Sequence, residues 1–424
     1  MLIIFREGIT EYETKKEKCE QLLNFHFTYI FQNRIFQLLK LLKLNLNLLN
    51  SAATKHSPLN NSPTQNDLIY LAINFSNAMN SFAIYRLPHA KSCTLIEQTT
   101  GEPATLTSCT ELDGRRGFVV APFCVEQDKP IVLINPDKVT EMPVEIGSLT
   151  DADMLPAVVR RQEYSADFER FHSQLVQGRF RKIVLARCAT EQTSAHIPPI
   201  ELFQRACRLY PRLYIALVNT PQSGMWLIAS PEILLENAGG HWLTIALAGT
   251  MQLDENELNG EGEQIHWSTK NIQEQRYVAS YVGECLKQFN IDYTENGPRT
   301  VRVANLVHLR SDFAFDMDPS TMGGLLDRLH PTPAVCGLPK AETFDFILNN
   351  EHTPRLYYSG FTGPLGIGGE THLYVSLRCM KIVDNQYNLY AGGGLLTESN
   401  EATEWQETEA KLETMRKCIA TKQM

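Results

Sequence analysis

The segment from Tyr390 to Lys411 (YAGGGLLTESNEATEWQETEAK) brings glycines, carboxylates and an ammonium together. We interpret the glycines at 392–394 as a turn, where the lack of a Cβ would let a ligand approach the backbone. The following residues predict a helix on which Glu404, Glu407 and Lys411 share one face, because they are three and four residues apart. Such a face could hold a divalent cation together with an acidic small molecule. The alternative is a solvated acidic helix whose glutamates complement the helix dipole.

Lys182 and Glu232 are charged residues in apolar surroundings. Lys182 begins the run KIVLA, and Glu232 lies within the run SPEILL, which we interpret as part of one strand over 225–236. Burial disfavours an ionised carboxylate and raises the pKa of a glutamate toward the range of a general acid. Taken singly, the alternatives are an ordinary lysine at a strand end and an exposed glutamate on an edge strand.

Helices and strands must position these residues. Helical spacing of apolar residues predicts helices over 166–180, 198–211, 269–289, 321–333 and from about Ser399 to Thr421. Strands are predicted over 81–88, 117–123, 129–136 and 181–190, in a hairpin of 225–236 with 241–249, and in the runs RLYYSGFTGPLG, THLYVSLRCMKIV and YNLYAGGG. Because strands and helices mix without regular βαβ alternation, we expect an α+β fold with large, mostly antiparallel sheets.

Composition and net charge limit the classes of function that the protein can have. The chain has 424 residues, of which 43% are hydrophobic and 21% charged, as in a globular protein. The net charge of −9 argues against general binding of nucleic acid or of an anionic membrane. Its ten cysteines form no CxxC pair, which favours reduced thiols in a cytoplasmic protein.

The N-terminal region differs from the rest of the chain in composition. Residues 25–49 are apolar, but Arg34, Lys40 and Lys43 interrupt them, so we expect no stable membrane insertion. We expect an amphipathic helix that packs on the domain. A helix on a membrane surface and a poorly ordered extension are the alternatives. Because residues 51–67 have the composition of a linker, we divide the chain into an extension over 1–66 and a folded domain over 67–424.

Six motifs taken in order resemble the chorismate-utilising enzymes, which include the isochorismate, salicylate, anthranilate and aminodeoxychorismate synthases. The resemblance runs from about Phe168 to Ile419. Its motifs are RKIVLAR, ASPEILLE, IALAGT, KNIQEQRY, LHPTPAVCGLPK and the glycine-rich segment with its acidic helix. It implies a single large chorismate-binding domain, in which two sheet-rich halves with outer helices enclose a deep active site. It also implies chorismate as substrate and Mg²⁺ as cofactor.

The resemblance also implies roles for individual residues. The implied catalytic residues are Lys182, Glu232 and His330, the last as the active-site histidine of the family. The implied Mg²⁺ ligands are Glu274 and Glu407, with Glu404 as a further or water-mediated ligand. The implied substrate-binding residues are Gly249, Thr250, Tyr358, Arg378, Gly392, Gly394 and Lys411. A helix-end cap before Pro331 is the alternative role for His330.

Two positions separate the chemistries within the family. A lysine at position 182 is typical of members that add water, whereas members that add ammonia commonly have glutamine there. Ala248 stands where aminodeoxychorismate synthases have a nucleophilic lysine. The resemblance is therefore closest to isochorismate synthase, with Lys182 activating water for attack at C2 and Glu232 protonating the hydroxyl that leaves C4.

The alternatives within the family are salicylate synthase and an isochorismate synthase of a siderophore pathway instead of menaquinone biosynthesis. We expect a monomer without a glutaminase subunit, since nothing in the sequence resembles a glutamine amidotransferase.

Overall fold

The computed structural model describes residues 81–144, 150–156, 160–252, 266–303 and 306–420. All of them belong to one compact unit that begins at Tyr70. The unit Met1–Ile69 lies outside the described residues. The expectations for the extension over 1–66 therefore stay predictions.

The described strands form two nine-stranded sheets in which all pairs are antiparallel. Sheet A consists of β1 (Ser81–Arg86), β2 (Ser92–Gln98), β6 (Lys138–Pro143), β7 (Lys182–Gln192), β8 (Tyr214–Thr220), β9 (Gly224–Ser230), β14 (Gly337–Leu338), β17 (Cys379–Val383) and β18 (Gln386–Leu395). Sheet B consists of β3 (Ala104–Leu106), β4 (Gly117–Ala121), β5 (Ile131–Ile134), β10 (Ile233–Ala238), β11 (His241–Gln252), β12 (Tyr293–Val303), β13 (Leu306–Phe315), β15 (Phe361–Leu365) and β16 (Thr371–Val375).

The strand order of each sheet follows from these pairings. Sheet A runs β14-β7-β18-β17-β9-β8-β1-β2-β6, and sheet B runs β12-β13-β11-β10-β16-β15-β4-β5-β3. An apolar core with residues from both sheets joins them; Tyr214 of sheet A, for example, stacks on Tyr374 of sheet B with ring centroids 4.3 Å apart. This confirms the predicted α+β fold with two sheet-rich halves.

Six α-helices lie within the described part of the chain. They are α1 (Arg161–Val176), α2 (Pro199–Leu209), α3 (Thr269–Gln288), α4 (Met322–Leu329), α5 (Lys340–Asn350) and α6 (Glu401–Ile419). Helices α1, α5 and α6 share a core with β7 and β18 of sheet A, whereas α3 and α4 share one with sheet B. The buried face of α1 carries Tyr164, Phe168, Phe171 and Leu175, which recur at helical spacing. No helix of the described residues is both long and apolar enough to cross a membrane.

Two predicted strands are wrong in one respect, because each is divided between the sheets. The segment 225–236 leaves sheet A after Ser230 and enters sheet B at Ile233, with Pro231 and Glu232 at the crossing. Proline has no N–H to donate to a strand ladder, which helps to end pairing there. The run THLYVSLRCMKIV divides likewise between β16 and β17, and Arg378 at that crossing has a φ of 48°.

The glycines at 392–394 also differ from their prediction as a turn. They lie within β18, where Gly392, Gly393 and Gly394 pair with Ala186, Leu185 and Val184 of β7. Glycine is needed there because bulky groups from other elements pass close to the strand. A Cβ on Gly392, for example, would lie 2.8 Å from the hydroxyl oxygen of Tyr358.

Candidate active site

A cavity forms where the two crossings meet the ends of several strands. Both sheets line it, together with α3 and α6. The predicted site residues that line it are Glu232, Gly249, Thr250, Glu274, Tyr358, Arg378, Gly392, Gly394 and Lys411. Ala248, the position used above to separate chemistries within the family, lines it as well. The structure thus brings together residues that are up to 179 positions apart in the sequence, Glu232 and Lys411 being the most distant.

Lys182 lies behind the cavity lining, beside the lining residues Glu274 and Gly394. It is the first residue of β7 and has 0% exposure, and its Nζ is 3.0 Å from Oε1 of Glu274 on α3. The contact has no hydrogen-bond geometry, so within the described part of the chain this buried Nζ has an ion-pair partner but no hydrogen-bond partner. A Cβ on Gly394 would overlap Oε1 of Glu274 and lie 2.9 Å from Cε of Lys182. The glycine therefore makes room for a buried ammonium beside a carboxylate.

Helix caps fix the two helices that supply charged groups to the site. The Oγ of Ser268 accepts a hydrogen bond from the backbone N–H of Asn271, which starts α3 and puts Lys270 one turn before Glu274. The Oδ1 of Asn400 accepts from the backbone N–H groups of Ala402 and Thr403 and starts α6 in the same way.

Glu232 occupies the first crossing and is 2% exposed. Burial raises the pKa of its carboxyl to about 8, although Lys182, Arg378 and Lys411 favour the ionised form. The Oγ1 of Thr332 donates a long hydrogen bond, 3.5 Å, to its Oε1. A carboxyl with this pKa is protonated at neutral pH and can give a proton to a leaving group.

Arg378 occupies the second crossing, directly beside the first. The backbone N–H of Val375 donates to the carbonyl of Glu232 at 2.9 Å, and that of Ala229 donates to the carbonyl of Arg378 at 3.0 Å. Two adjacent crossings therefore deliver an acid and a guanidinium to one cavity. Arg suits a carboxylate ligand because its planar fork can bind both oxygens.

His308 on β13 is a cavity residue for which the sequence analysis gave no role. Its Nδ1 donates to the carbonyl of Gly249 at 3.0 Å, and its Nε2 accepts from Nη2 of Arg378 at 3.1 Å. A carbonyl can only accept and a guanidinium can only donate, so these partners define a neutral imidazole protonated on Nδ1. Burial, then the charges of Arg378 and Lys411, lower the pKa of His308 well below its usual range. A histidine within the apolar run LVHL was the available signal in the sequence.

Gly249 shapes the neighbouring part of the wall. It has a φ of 72° and lies at a bulge between Ala248 and Thr250, where β11 shifts its register against β13. A Cβ there would lie 3.0 Å from the carbonyl oxygen of Asn271. The left-handed backbone and the close approach of α3 both require glycine.

Tyr358 is buried against the glycine strand. Its ring stacks on Tyr390 with centroids 5.5 Å apart. Burial raises the pKa of its hydroxyl, which stays protonated at neutral pH. The hydroxyl reaches the cavity beside Gly392, where it can donate a hydrogen bond.

Each predicted metal ligand forms an ion pair with a lysine. Glu404 on α6 is 1% exposed and forms an ion pair with Lys270 on α3. Glu407 forms an ion pair of 2.6 Å with Lys411, whose Nζ also donates to the carbonyl of Gly392 at 2.8 Å. Burial and the charge of Glu407 raise the pKa of Glu404, whose buried Oε2 has no hydrogen-bond partner among the residues that the structure describes.

These contacts bear on whether the site fits Mg²⁺. Within the described residues, no group of three or more His, Cys, Asp or Glu side chains is arranged to hold a metal ion. Magnesium, however, usually takes only one or two carboxylates and completes its shell with water and substrate oxygens. Two adjacent carboxylates with one unpartnered buried oxygen match that donor chemistry, so the residues present fit the ion.

Of the predicted site residues, Lys182, Glu404, Glu407 and His330 are not in the cavity lining, and His330 has its contacts elsewhere. It follows the last residue of α4, and its Nε2 is 3.0 Å from the carbonyl oxygen of Pro122. Its ring packs edge-on against Phe361. The end of the helix turns the side chain toward these neighbours, as the alternative role of a helix-end residue predicts.

Comparison with known proteins gives independent evidence. Residues 140–420 match the family model described as chorismate binding enzyme. The chain is 30% identical to the isochorismate synthase EntC of Escherichia coli (strain K12) over 238 residues, which are 55% of this chain and 61% of EntC. It is 26% identical to the isochorismate synthase DhbC of Bacillus subtilis (strain 168) over 352 residues, which are 78% of this chain and 87% of DhbC.

A solved structure extends the similarity to the fold. The structure of MenF, the menaquinone-specific isochorismate synthase from Escherichia coli, superposes with a TM-score of 0.66 at 21% identity, over 82% of this chain and 91% of that chain. At this identity the match concerns the fold alone. The family model, in contrast, matches more than half of the chain and includes every cavity residue named above. The chain belongs to the chorismate binding enzyme family.

Proposed function

We propose that the protein is an isochorismate synthase, which isomerises chorismate by adding water at C2 and releasing the hydroxyl of C4. One observation carries the proposal. A buried carboxyl with a pKa of about 8, Glu232, lines the cavity, and a buried lysine, Lys182, lies 3.0 Å from Glu274, which lines the same cavity. This reaction needs a base and an acid at one pH; the raised pKa of Glu232 suits the acid, and the amine of Lys182 is the proposed base.

Lys182 is the proposed base. Among the described residues its Nζ has an ion-pair partner but no hydrogen-bond partner, so a water molecule could hydrogen-bond to it. In the neutral form it would take a proton from that water as the oxygen attacks C2. Glu274, 3.0 Å away, holds the amine in place, and its carboxylate stabilises the positive charge that develops on the amine.

Glu232 is the proposed acid. As the C2–O bond forms, the ring double bonds shift and the C4–O bond breaks, and the carboxyl gives its proton to the leaving oxygen. One water enters and one water leaves, so the product is an isomer of the substrate. The step is reversible, because the same two groups exchange roles in the opposite direction.

Polar groups around the cavity are the proposed anchors for the two substrate carboxylates. Arg378 and Tyr358 would bind the enolpyruvyl carboxylate, with His308 holding the guanidinium by its 3.1 Å hydrogen bond. Lys411 and the backbone at Gly392 and Gly394 would bind the ring carboxylate. Gly249 and Thr250 would line the space beside the reacting ring.

Magnesium is the proposed cofactor, and Glu274, Glu404 and Glu407 are the residues that would hold it. When bound, the ion would supply positive charge that fixes the ring carboxylate and withdraws electrons from the ring. The protein's own part is to present carboxylates from α3 and α6 beside the glycines of β18. Lys270 and Lys411 balance their charge.

We further propose menaquinone biosynthesis as the pathway supplied, with a siderophore pathway as the alternative. Relatives bear names of both kinds, menaquinone-specific and vibriobactin-specific among them. Deletion of the gene in its host separates the two: rescue by added menaquinone supports the first, and rescue by added siderophore supports the second. A monomer in the cytoplasm, without a glutaminase subunit, completes the proposal.

A product assay tests the proposed function. The purified chain is incubated with chorismate and Mg²⁺, with and without ammonium, and the products are separated by chromatography. We expect partial conversion to isochorismate that ammonium does not change. Salicylate with pyruvate would make the protein a salicylate synthase, and an aminated product or no product would contradict the proposal.

A further inference from the structure

The segment 330–336 is pinned to the rest of the protein along its length. Nζ of Lys340 donates to the carbonyls of Arg328 and His330, at 2.7 and 2.6 Å. Nη1 of Arg355 donates to the carbonyl of Val335 at 2.6 Å. The backbone N–H of Val184, on the strand that begins with Lys182, donates to the carbonyl of Cys336 at 2.7 Å. Helix α5, the buried arginine and β7 therefore all hold this segment.

Thr332 lies in the middle of the pinned segment. Its carbonyl accepts hydrogen bonds from the backbone N–H groups of Val335 and Cys336, at 3.0 and 2.9 Å. Its side chain is buried, and its Oγ1 points to Oε1 of Glu232 at 3.5 Å. The position of this hydroxyl is thus set by the backbone.

The other groups that face Glu232 are cations on separate elements. Lys182 lies on β7, Arg378 at the second crossing and Lys411 on α6. Among the described residues, Thr332 supplies the one side-chain hydrogen bond to the carboxyl of Glu232. The cations attract the carboxyl from several directions, whereas the hydroxyl defines which oxygen faces the segment and which is left for the cavity.

We propose that Thr332 is a positioning residue for Glu232, whose hydroxyl engages Oε1 and so turns Oε2 and its proton toward the leaving oxygen of the substrate. The inference rests on the proposed function, in which Glu232 is the acid. It concerns a residue that does not line the cavity, so Thr332 would affect turnover and not substrate binding.

The proposal has a second consequence. A hydroxyl that donates to a carboxylate stabilises the ionised form, and its removal raises the pKa of the carboxyl. Activity that requires protonated Glu232 would then persist to higher pH in a variant without the hydroxyl. If Thr332 had a merely structural role, its replacement would lower the stability of the protein without changing the alkaline pH at which activity is lost.

The test compares Thr332→Val, which removes the hydroxyl, with Thr332→Ser, which keeps it. We expect kcat of the valine variant to fall about 3- to 10-fold with KM unchanged within twofold, as loss of one hydrogen bond predicts. We expect the alkaline limb of its pH profile of kcat to move up by only about half a pH unit, because a hydrogen bond of 3.5 Å is long and therefore weak. The serine variant restores both values.

Thr343→Val is the matched control, because Thr343 is also buried and its Oγ1 contacts the carbonyls of Pro339 and Lys340 and the Sγ of Cys336 but not Glu232. This variant lowers the unfolding temperature and leaves the pH limb in place. If Thr332→Val and the wild type have the same kcat and lose activity at the same alkaline pH, the positioning role is overturned while the proposed function stands.

Failure of the proposed function gives a different result. A wild-type chain that does not convert chorismate shows that failure directly. The pKa of the Glu232 carboxyl is then measured by infrared difference spectroscopy against Glu232→Gln, in the wild type and in Thr332→Ser and Thr332→Val. An unchanged carboxyl pKa in Thr332→Val would overturn the contact itself. Should the valine variant not fold, Thr332→Ala replaces it.

Discussion

Lys182 Nζ lies 3.0 Å from Glu274 Oε1, although one residue begins a strand of sheet A and the other lies on a helix that packs on sheet B. Gly394 leaves the space in which the two side chains meet. The pair joins the proposed base to a proposed metal ligand. Several predictions about activity depend on it.

Replacement of Lys182 by alanine tests the base. We expect the rate of isochorismate formation to fall by roughly 10²–10⁴, the usual contribution of a positioned proton acceptor. Chorismate binding, followed by calorimetry, should persist because Arg378 and Lys411 remain. Lys138→Ala is the control, since Lys138 is an exposed lysine whose ion pair with Glu97 joins β6 to β2, away from the cavity lining. Turnover of Lys182→Ala near the wild-type rate would remove the residue from the mechanism.

The pH dependence of kcat tests the acid. Burial raises the pKa of Glu232 to about 8, and the acid must be protonated to act. Activity should therefore be lost as the pH rises through about 8, approaching a tenfold decrease for each further pH unit. Glu232→Gln should lower kcat and remove this limb from the residual activity. An unchanged alkaline limb in the glutamine variant would assign it to another group.

The two histidines form a matched pair of variants. His308→Ala removes the hydrogen bond that holds Arg378, so we expect KM for chorismate to rise by about tenfold. His330→Ala should change the unfolding temperature and leave kcat/KM close to the wild-type value, because its contacts are Pro122 and Phe361. The reverse order of effects on kcat/KM would favour the role that the family resemblance implied for His330.

Gly394→Ala tests the space around the ion pair. The added Cβ would overlap Glu274 and crowd Lys182, so we expect loss of turnover and weaker binding of Mg²⁺ by calorimetry. Gly324→Ala on α4 is the control, because its Cβ would approach only the ring of Phe289, at 3.3 Å. If Gly394→Ala binds Mg²⁺ like the wild type, Glu274 does not hold the ion.

Deletion of residues 1–66 tests the division of the chain. We propose that residues 67–424 form the catalytic domain, since all proposed site residues lie between Lys182 and Lys411. Turnover and solubility of the shortened chain should equal those of the full chain. A large loss of turnover would show that the extension takes part in catalysis.

Much of the fold and part of the site follow from local sequence. Helical spacing predicted α1, α2 and α3 to within a few residues, except the start of α1 at Arg161, because their buried faces are continuous. The acidic helix α6 and the cavity position of Gly249 were likewise implied by motifs. These features depend on residues that are neighbours in sequence.

The crossings could not be predicted in this way. The segments around Glu232 and Arg378 are mainly apolar on both sides of the crossing, and although Pro231 marks a break, nothing in the alternation shows that each half joins a different sheet. His308 lines the cavity from β13, where it pairs with Thr250 just after the bulge at Gly249 on β11. His330 stands in a more recognisable motif, yet the end of α4 turns it away. Long-range pairing decides these positions.

The most direct test of the central claim, that water activated at Lys182 attacks C2, is the reaction in water enriched in ¹⁸O. Isochorismate isolated early in the reaction should carry one ¹⁸O atom, in the hydroxyl on C2, and Lys182→Ala should produce little of it. Isochorismate that contains no ¹⁸O would mean that the oxygen of C4 is transferred within the molecule, and this result would contradict the account.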